Sequence, residues 1–300
     1  MKPLQIGLLD FGIRTSTMNS SLRVNDLIEY AIKADKWGFS RIWISEHHLA
    51  AKTMSWSNPS VLVPLLAGMT SRINVGVAGI LLGIHQPYHV ASNFKMLANL
   101  FPDRIDLGLA NGGVMPAVAE LATGVNALDL KQAFTDNLKK LHFLFNEEEK
   151  LLELGTVIPP FKGATPDVWS LSTHMGSLQR PLDYKMNLAR SIFHKGADKE
   201  LHKEELISFK EQFLERHGYY PKTNLVVSGA IHKTEAKVKA AVLSSDEGYN
   251  YTLLGTPSKF EDTFHDFQES YGFDEIIFMN VALKPKDRAV GLELLSDTFQ

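Results

Sequence analysis

The stretch RIWISEHHLA, residues 41–50, is the starting point for predicting the fold. Its first half is apolar and β-branched, as in a buried strand, and Glu46, His47 and His48 follow where that strand ends. Three adjacent ionisable side chains at this point fit a solvated strand end, a metal site or the catalytic edge of a barrel. The rest of the sequence decides between these interpretations.

Composition excludes several classes of protein. The 300 residues are 44% hydrophobic, which is enough for a substantial core, and no Pro-, Gly- or Ser-rich linker divides them. We therefore expect a single domain over residues 1–300. The net charge of -3 gives no sign of a basic face for nucleic acid or an anionic membrane. The absence of cysteine excludes disulfides, thiolate zinc sites, iron–sulfur clusters and cysteine nucleophiles.

One uncharged stretch needs examination as a membrane span, because no Lys, Arg, Asp or Glu lies between Arg72 and Lys95. It contains three glycines, two histidines, Gln86 and Pro87, which fit a strand, a loop and a helix start better than a lipid-facing helix. The opening MKPLQIGLLD has too short an apolar run for a signal peptide. We expect a cytoplasmic protein with no membrane contact.

Short apolar strands alternate with helical patterns along the chain. The predicted strands are LQIGLLD, RIWIS, INVGVAGILL, RIDLGLA, DVWSLS, MNLARSIF, NLVVSGAI and EIIFMN. The clearest helix opens at Thr256 and Pro257, before an apolar stripe at helical spacing that ends at Tyr271. Eight such strands, rich in β-branched residues, favour parallel strands covered by helices and closed into a (β/α)₈ TIM barrel with extended loops at its carboxyl-terminal rim.

The carboxyl ends of barrel strands meet at one rim, where chemistry is usually located. Asp10, Glu46, His47, His48, Asn111, Ser172 and Thr173 would converge there. A metal interpretation of the two histidines is weak, since adjacent residues on a strand point to opposite sides and no third ligand is well spaced.

Five segments also resemble the bacterial luciferase-like flavin monooxygenases in order and spacing. They are RIWISEHH, INVGVAGILLGIHQPYHVA, DRIDLGLANGG, DVWSLSTHMGS and GTPSKFEDTFHDFQESYGFDEIIF. The resemblance implies a barrel that binds reduced flavin mononucleotide (FMN), usually supplied by a separate flavin reductase. It further implies oxygenation of a small organic substrate by O₂, through a flavin 4a-peroxide or hydroperoxide, or hydride transfer in a deazaflavin branch of the family.

The resemblance assigns roles to individual residues. His47 matches the catalytic histidine beside the flavin ring, a role that suits an imidazole near neutral pH. The bond from Ala78 to Gly79 matches a non-prolyl cis peptide under the ring, although two small residues would also pack inside a narrow barrel. Ser172, Thr173, Gly176 and Ser177 match the turn that holds the flavin phosphate. Asn111 stands where luciferase has an arginine, so a cationic phosphate contact is missing or replaced.

Other residues keep two interpretations. Asp10 either contacts substrate or caps the first loop, and Glu46 either contacts substrate or is a satisfied strand-end group, as is also expected of His48. His194, after the sixth strand, is a further candidate substrate contact. Arg104 is expected to hold the barrel rim together, and Gly163 to Pro166, with the connection after strand four, to form a lid.

Two rival functions keep the barrel: deazaflavin-dependent hydride transfer, and a non-catalytic flavin-binding partner subunit. A barrel hydrolase is disfavoured because no Glu/Asp pair or metal set stands at matched strand ends. The apolar helix from Pro59 to Met69 favours a homodimer, or a heterodimer with a related subunit.

Overall fold

A computed structural model describes residues 4–48, 52–126, 128–242 and 251–299. The strands are β1 (Gln5–Asp10), β2 (Arg41–Ile44), β3 (Asn74–Leu81), β4 (Ile105–Ala110), β5 (Asp167–Ser172), β6 (Asn187–Ser191), β7 (Thr223–Ile231), β8 (Leu253–Gly255) and β9 (Glu275–Asn280). The helices are α1 (Ser20–Lys36), α2 (Val63–Met69), α3 (Pro87–Leu100), α4 (Pro116–Thr123), α5 (Leu130–Asn146), α6 (Glu148–Glu153), α7 (Gln179–Asp183), α8 (Lys203–His217), α9 (Glu235–Ala241), α10 (Pro257–Tyr271) and α11 (Pro285–Phe299). None of these helices is both long and apolar enough to cross a membrane.

The strands close into the predicted barrel. Their order is β6-β5-β4-β3-β2-β1-β9-β7, and β6 pairs with β7 to complete the ring; every pairing is parallel. All eight predicted strands are present within two residues of their predicted bounds. The short β8 was not predicted, and it pairs with the end of β7 outside the closed ring. The eight-stranded (β/α)₈ barrel is confirmed.

Two hydrophobic layers hold the barrel. The larger lies between strands and helices, and α10 contributes Phe260 and Phe264, which are fully buried on the predicted stripe. The smaller fills the barrel interior with side chains such as Trp43, Trp169 and Ile277. Burying large side chains of this kind stabilises the fold by roughly 1.5–3 kcal/mol each.

An ion-pair network lies beneath the interior apolar layer. Arg41 donates to Asp106 at 2.6 Å and to Glu275 at 2.7 Å, and the indole N–H groups of Trp43 and Trp169 donate to the Asp106 carboxylate at 2.8 and 3.0 Å. Burial raises the pKa of Glu275, against the lowering effect of Arg41. Arg41 is one cation between two carboxylates, so the raised pKa of Glu275 and the indole N–H donors to Asp106 together limit the cost of burying this network.

Candidate active site

One large cavity opens at the carboxyl ends of the strands. Its volume is about 970 Å³, near the upper end of the range of roughly 300–1,000 Å³ found for small-molecule sites. The predicted site residues that line it are Glu46, His47, Ala78, Gly79, Asn111, Ser172, Thr173, Gly176 and His194. The structure therefore brings most of the predicted set to one place, whereas their individual roles stay predictions.

His47 lies three residues beyond β2 at the edge of this cavity. Ser45 Oγ is 2.9 Å from His47 Nδ1, and the Phe11 ring packs against the imidazole with centroids 4.6 Å apart. Among the described residues, Nε2 has no hydrogen-bond partner. Burial, reinforced by the nearby His194, lowers the pKa of His47 to about 4. The imidazole is therefore neutral near pH 7 and can exchange a proton at Nε2.

Glu46 is enclosed rather than open to a ligand. Its carboxylate accepts from the Leu81 backbone N–H at 2.9 Å and contacts Nε2 of His48 at 2.7 Å and of His85 at 2.8 Å. Burial alone would raise the pKa of Glu46, but these hydrogen bonds lower it. Glu46 thus ties the end of β2 to the end of β3, which supports the interpretation of Glu46 and His48 as satisfied strand-end groups.

His194 lies three residues beyond β6, and its ring centroid is 6.4 Å from that of Phe11, the ring that also packs on His47. Its Nδ1 is 2.8 Å from Ser191 Oγ, and its ring stacks on Phe193 at a centroid distance of 4.3 Å. Burial lowers the pKa of His194. Both His47 and His194 are thus held through Nδ1 by a serine close by in the chain, a pairing that sequence reasoning missed.

The Ala78–Gly79 peptide is cis, as the resemblance implied. The bond lies where the register between β3 and β4 shifts, between Val77 and Ile80. A Cβ at Gly79 would come within 2.6 Å of the Gly108 carbonyl oxygen and 2.7 Å of Leu171 Cδ1, so only glycine fits without displacement. Ala78 and Gly79 thus give one side of the cavity a floor of small residues.

The turn after β5 supplies hydroxyl and backbone groups at the same cavity. Ser172 Oγ accepts from the His174 N–H at 3.1 Å, so this hydroxyl helps to shape the turn. Thr173 and Gly176 also line the cavity, and Gly176 has open space where a Cβ would lie. Ser177 ends the turn, but its side chain lies outside the described part of the structure.

Arg180 is a cavity residue that sequence reasoning missed. It lies on α7, a helix of five residues directly after the turn, and its guanidinium packs over the Phe134 ring at 4.9 Å. No carboxylate of the described residues pairs with it, and burial lowers its pKa. Asn111 lies on the cavity wall without a charge. Arg180 can thus supply the positive charge that Asn111 does not provide. The sequence feature that could have identified it is a lone basic residue shortly after a Ser/Thr/Gly turn.

Two expectations need correction. Asp10 does not line the cavity: its carboxylate pairs with the buried Arg23 and accepts from the Gly12 N–H at 2.8 Å, so the capping alternative holds. Burial would raise its pKa, but Arg23 lowers it. The segment from Gly163 to Pro166 is not a lid, since it leads into the first residue of β5 and Ala164 is anchored to Asn99 at the opposite end of the barrel. In contrast, residues 111–115 after β4 do line the cavity.

A closed parallel barrel with a histidine-edged, cofactor-sized cavity at its carboxyl-terminal rim defines a (β/α)₈ protein of enzymatic type. The chain belongs to the luciferase-like monooxygenase family, which matches residues 5–271. Membership of this family supports an oxidoreductase.

Relatives in Bacillus subtilis share part of the sequence. YwcH, an uncharacterized protein, is 33% identical over 57% of this chain and 51% of its own length. N-acetyl-S-alkylcysteine monooxygenase is 32% identical over 44% of this chain and 42% of its own. The aligned region thus spans about half the length of these relatives.

Solved structures share the whole fold. Apo-MsnO8 superposes with a TM-score of 0.84 at 21% identity, over 99% of this chain and 98% of that one. The oxygenating constituent of 3,6-diketocamphane monooxygenase from Pseudomonas putida, in complex with FMN, gives 0.75 at 17% identity, with coverage of 99% and 98%. An F420-dependent secondary alcohol dehydrogenase gives 0.75 at 14% identity, with the same coverage. At these identities the superpositions support the fold alone.

Proposed function

We propose that the protein is a flavin-dependent monooxygenase that uses reduced FMN and O₂ to oxygenate a small organic substrate. One observation carries this: a single cavity has a guanidinium and a hydroxyl-bearing turn on one side and a neutral imidazole on another, and no carboxylate of the described residues neutralises that guanidinium. The guanidinium and the turn suit a phosphate dianion, and the neutral imidazole suits proton transfer during oxygenation.

The residues fit this cofactor. Thr173, Gly176 and Arg180 would hold the phosphate, by hydroxyl, backbone and guanidinium groups respectively. Ala78 and Gly79 would lie under the ring, because they line the cavity with small side chains. Reduced FMN would supply the electrons that activate O₂. His47 would hold or move a proton at Nε2, while the apolar walls exclude water from the cavity.

Anaerobic titration of the purified protein with reduced FMN, followed by admission of air, tests this function. We expect saturable binding. After air is admitted, the change of flavin absorbance with time should differ from that of free FMN. A parallel titration with reduced deazaflavin separates the hydride-transfer alternative. Tight FMN binding without any effect on reoxidation would instead identify a non-catalytic flavin-binding subunit, and binding of neither cofactor would contradict both enzymatic functions.

The proposal extends to partners and location. A separate flavin reductase would deliver the reduced FMN, and a location in the cytoplasm beside such a reductase is part of the proposal. We also propose self-association through α2 and α3, since they and the turn before α2 expose apolar side chains, namely Val61, Leu65, Met69, Tyr88, Met96 and Leu100.

A further inference from the structure

The cavity wall has two chemically different halves. The half formed by β3, β4, β5 and α7 contains the small-residue floor, the hydroxyl-bearing turn and Arg180. The half formed by the ends of β1, β2 and β6 contains Phe11, His47, Phe193 and His194. If the first half holds the cofactor, as proposed above, the second half is left for the substrate.

The second half is a continuous aromatic wall. Phe11 and Phe193 follow strands that are not neighbours in the barrel, yet their ring centroids are 5.8 Å apart. Phe11 also packs on His47 at 4.6 Å, and Phe193 stacks on His194 at 4.3 Å. Four rings therefore pack into one wall of the cavity, and an aromatic partner placed against it gains both buried area and ring packing.

This wall offers no opposite charge that could pair with a charged group of a ligand. Among the described residues that line the cavity, the carboxylate is Glu46, whose oxygens already face Leu81 N–H, His48 and His85. The guanidinium is Arg180, on the cofactor half. Transfer of an ion from water to a wall of phenylalanine rings is costly when no opposite charge awaits it.

We propose that the substrate is an uncharged compound with an aromatic body, bound against the wall that Phe11 and Phe193 form, and that carboxylates, sulfonates and ammonium compounds of the same shape are rejected. His47 and His194 would then serve as hydrogen-bonding partners of a neutral polar group, such as a carbonyl or hydroxyl. This inference rests on the proposed function, because the flavin is taken to occupy the other half.

Three ligands that share a naphthalene body but differ in charge test the proposal: 2-acetylnaphthalene, 2-naphthoate and 2-naphthylmethylammonium. Each is titrated by calorimetry into the protein saturated with oxidised FMN. We expect the neutral ligand to bind at least roughly tenfold more tightly than either ion, which corresponds to about 1.4 kcal/mol. Equal or tighter binding of the naphthoate or the ammonium compound, or no binding of the neutral ligand, would overturn the proposal.

A variant locates the site. Phe193→Ala should weaken binding of 2-acetylnaphthalene by roughly fivefold or more while FMN binding is retained. Phe161→Ala is the matched control, because Phe161 is 42% exposed and does not line the cavity. An equal effect of both substitutions would overturn the placement. Failure of FMN itself to bind, measured first without ligand, would count against the proposed function instead, so the two failures are distinguishable.

Discussion

At the residue scale, the neutral state of His47 is the property on which the proposed chemistry depends. Burial is the main cause that lowers the pKa of His47 to about 4, and the nearby His194 and His48 lower it further. Glu46 acts in the opposite direction, but its effect is smaller than that of burial. His47→Ala should reduce oxygenation by about 10²- to 10⁴-fold and leave FMN affinity nearly unchanged. His89→Ala, at an exposed histidine outside the cavity, is the control. Full oxygenation by His47→Ala in a steady-state assay would refute the assignment.

The same pKa gives a pH dependence. If the neutral imidazole is the active form, activity should be flat above about pH 5 and fall as the pH drops through about 4. The free energy of unfolding should also decrease as the pH falls from about 6.5 to about 4, since the unfolded chain takes up this proton first. A pH–rate profile with an acid limb near 6.5 in the wild-type protein would contradict the buried, neutral state.

Ser45 is expected to position His47 rather than to react. For Nε2 to carry the hydrogen toward the cavity, Ser45 Oγ has to donate to Nδ1, and that hydrogen bond stabilises the neutral ring. Ser45→Ala should therefore move the acid limb of the pH–rate profile to higher pH. Ser55→Ala is a suitable control, because Ser55 is nearby in the chain but contributes nothing to the cavity wall. An unchanged acid limb would show that Ser45 does not fix the ring.

Arg180 should distinguish FMN from riboflavin. Arg180→Gln removes the cation and retains much of the side chain, so FMN affinity should fall by roughly tenfold or more while riboflavin affinity is unchanged. Fluorescence titration with both flavins measures the difference. Arg216→Gln is the matched control on the neighbouring α8, where Arg216 pairs with Asp183 on the surface. Equal losses for the two flavins would remove Arg180 from the phosphate site.

At the element scale, the floor of the cavity depends on the close approach of β3 to β4. Gly79→Ala would place a methyl group within 2.6 Å of the Gly108 carbonyl oxygen, and overpacking of this kind typically costs about 1–3 kcal/mol. We expect a lower melting temperature and loss of FMN binding. Gly68→Ala on α2 is the control, since beyond its chain neighbours and its own helix backbone nothing lies within 4 Å of the point that its new methyl group would occupy. A fully stable Gly79→Ala protein with normal FMN affinity would contradict the proposed flavin seat.

Sequence patterns predicted the regular elements well and the irregular connections poorly. The bounds of β5 are those of the DVWSLS run, and Arg104 holds neighbouring backbone together as expected, through the carbonyls of Ile73, Ala67 and Thr70. Strand β8 was missed because three residues show no periodicity. The position of Arg180 depends on a five-residue helix, which is too short to leave a pattern.

The site shows the same contrast. Parallel strands bring their carboxyl ends together whatever their loops do, so His47, Asn111 and Thr173 could be placed on one rim from sequence. Whether a polar residue faces the cavity or a neighbour depends on partners that are distant in sequence. Asp10 illustrates this, because its role was decided by Arg23 on α1.

At the scale of the whole molecule, the exposed apolar face of α2 and α3 predicts self-association. Leu65 and Met69 are 40% and 52% exposed on α2, and Leu100 is 62% exposed at the end of α3. Large apolar side chains exposed in this way are typical of an interface between copies of a chain. Leu65→Glu should convert a dimer to a monomer in light scattering after size-exclusion chromatography. Leu154→Glu, at a residue 73% exposed elsewhere, should leave the dimer intact. A wild-type protein that is monomeric at micromolar concentration would refute this interface, and an equal effect of both substitutions would show that added charge, not the α2 and α3 face, governs association.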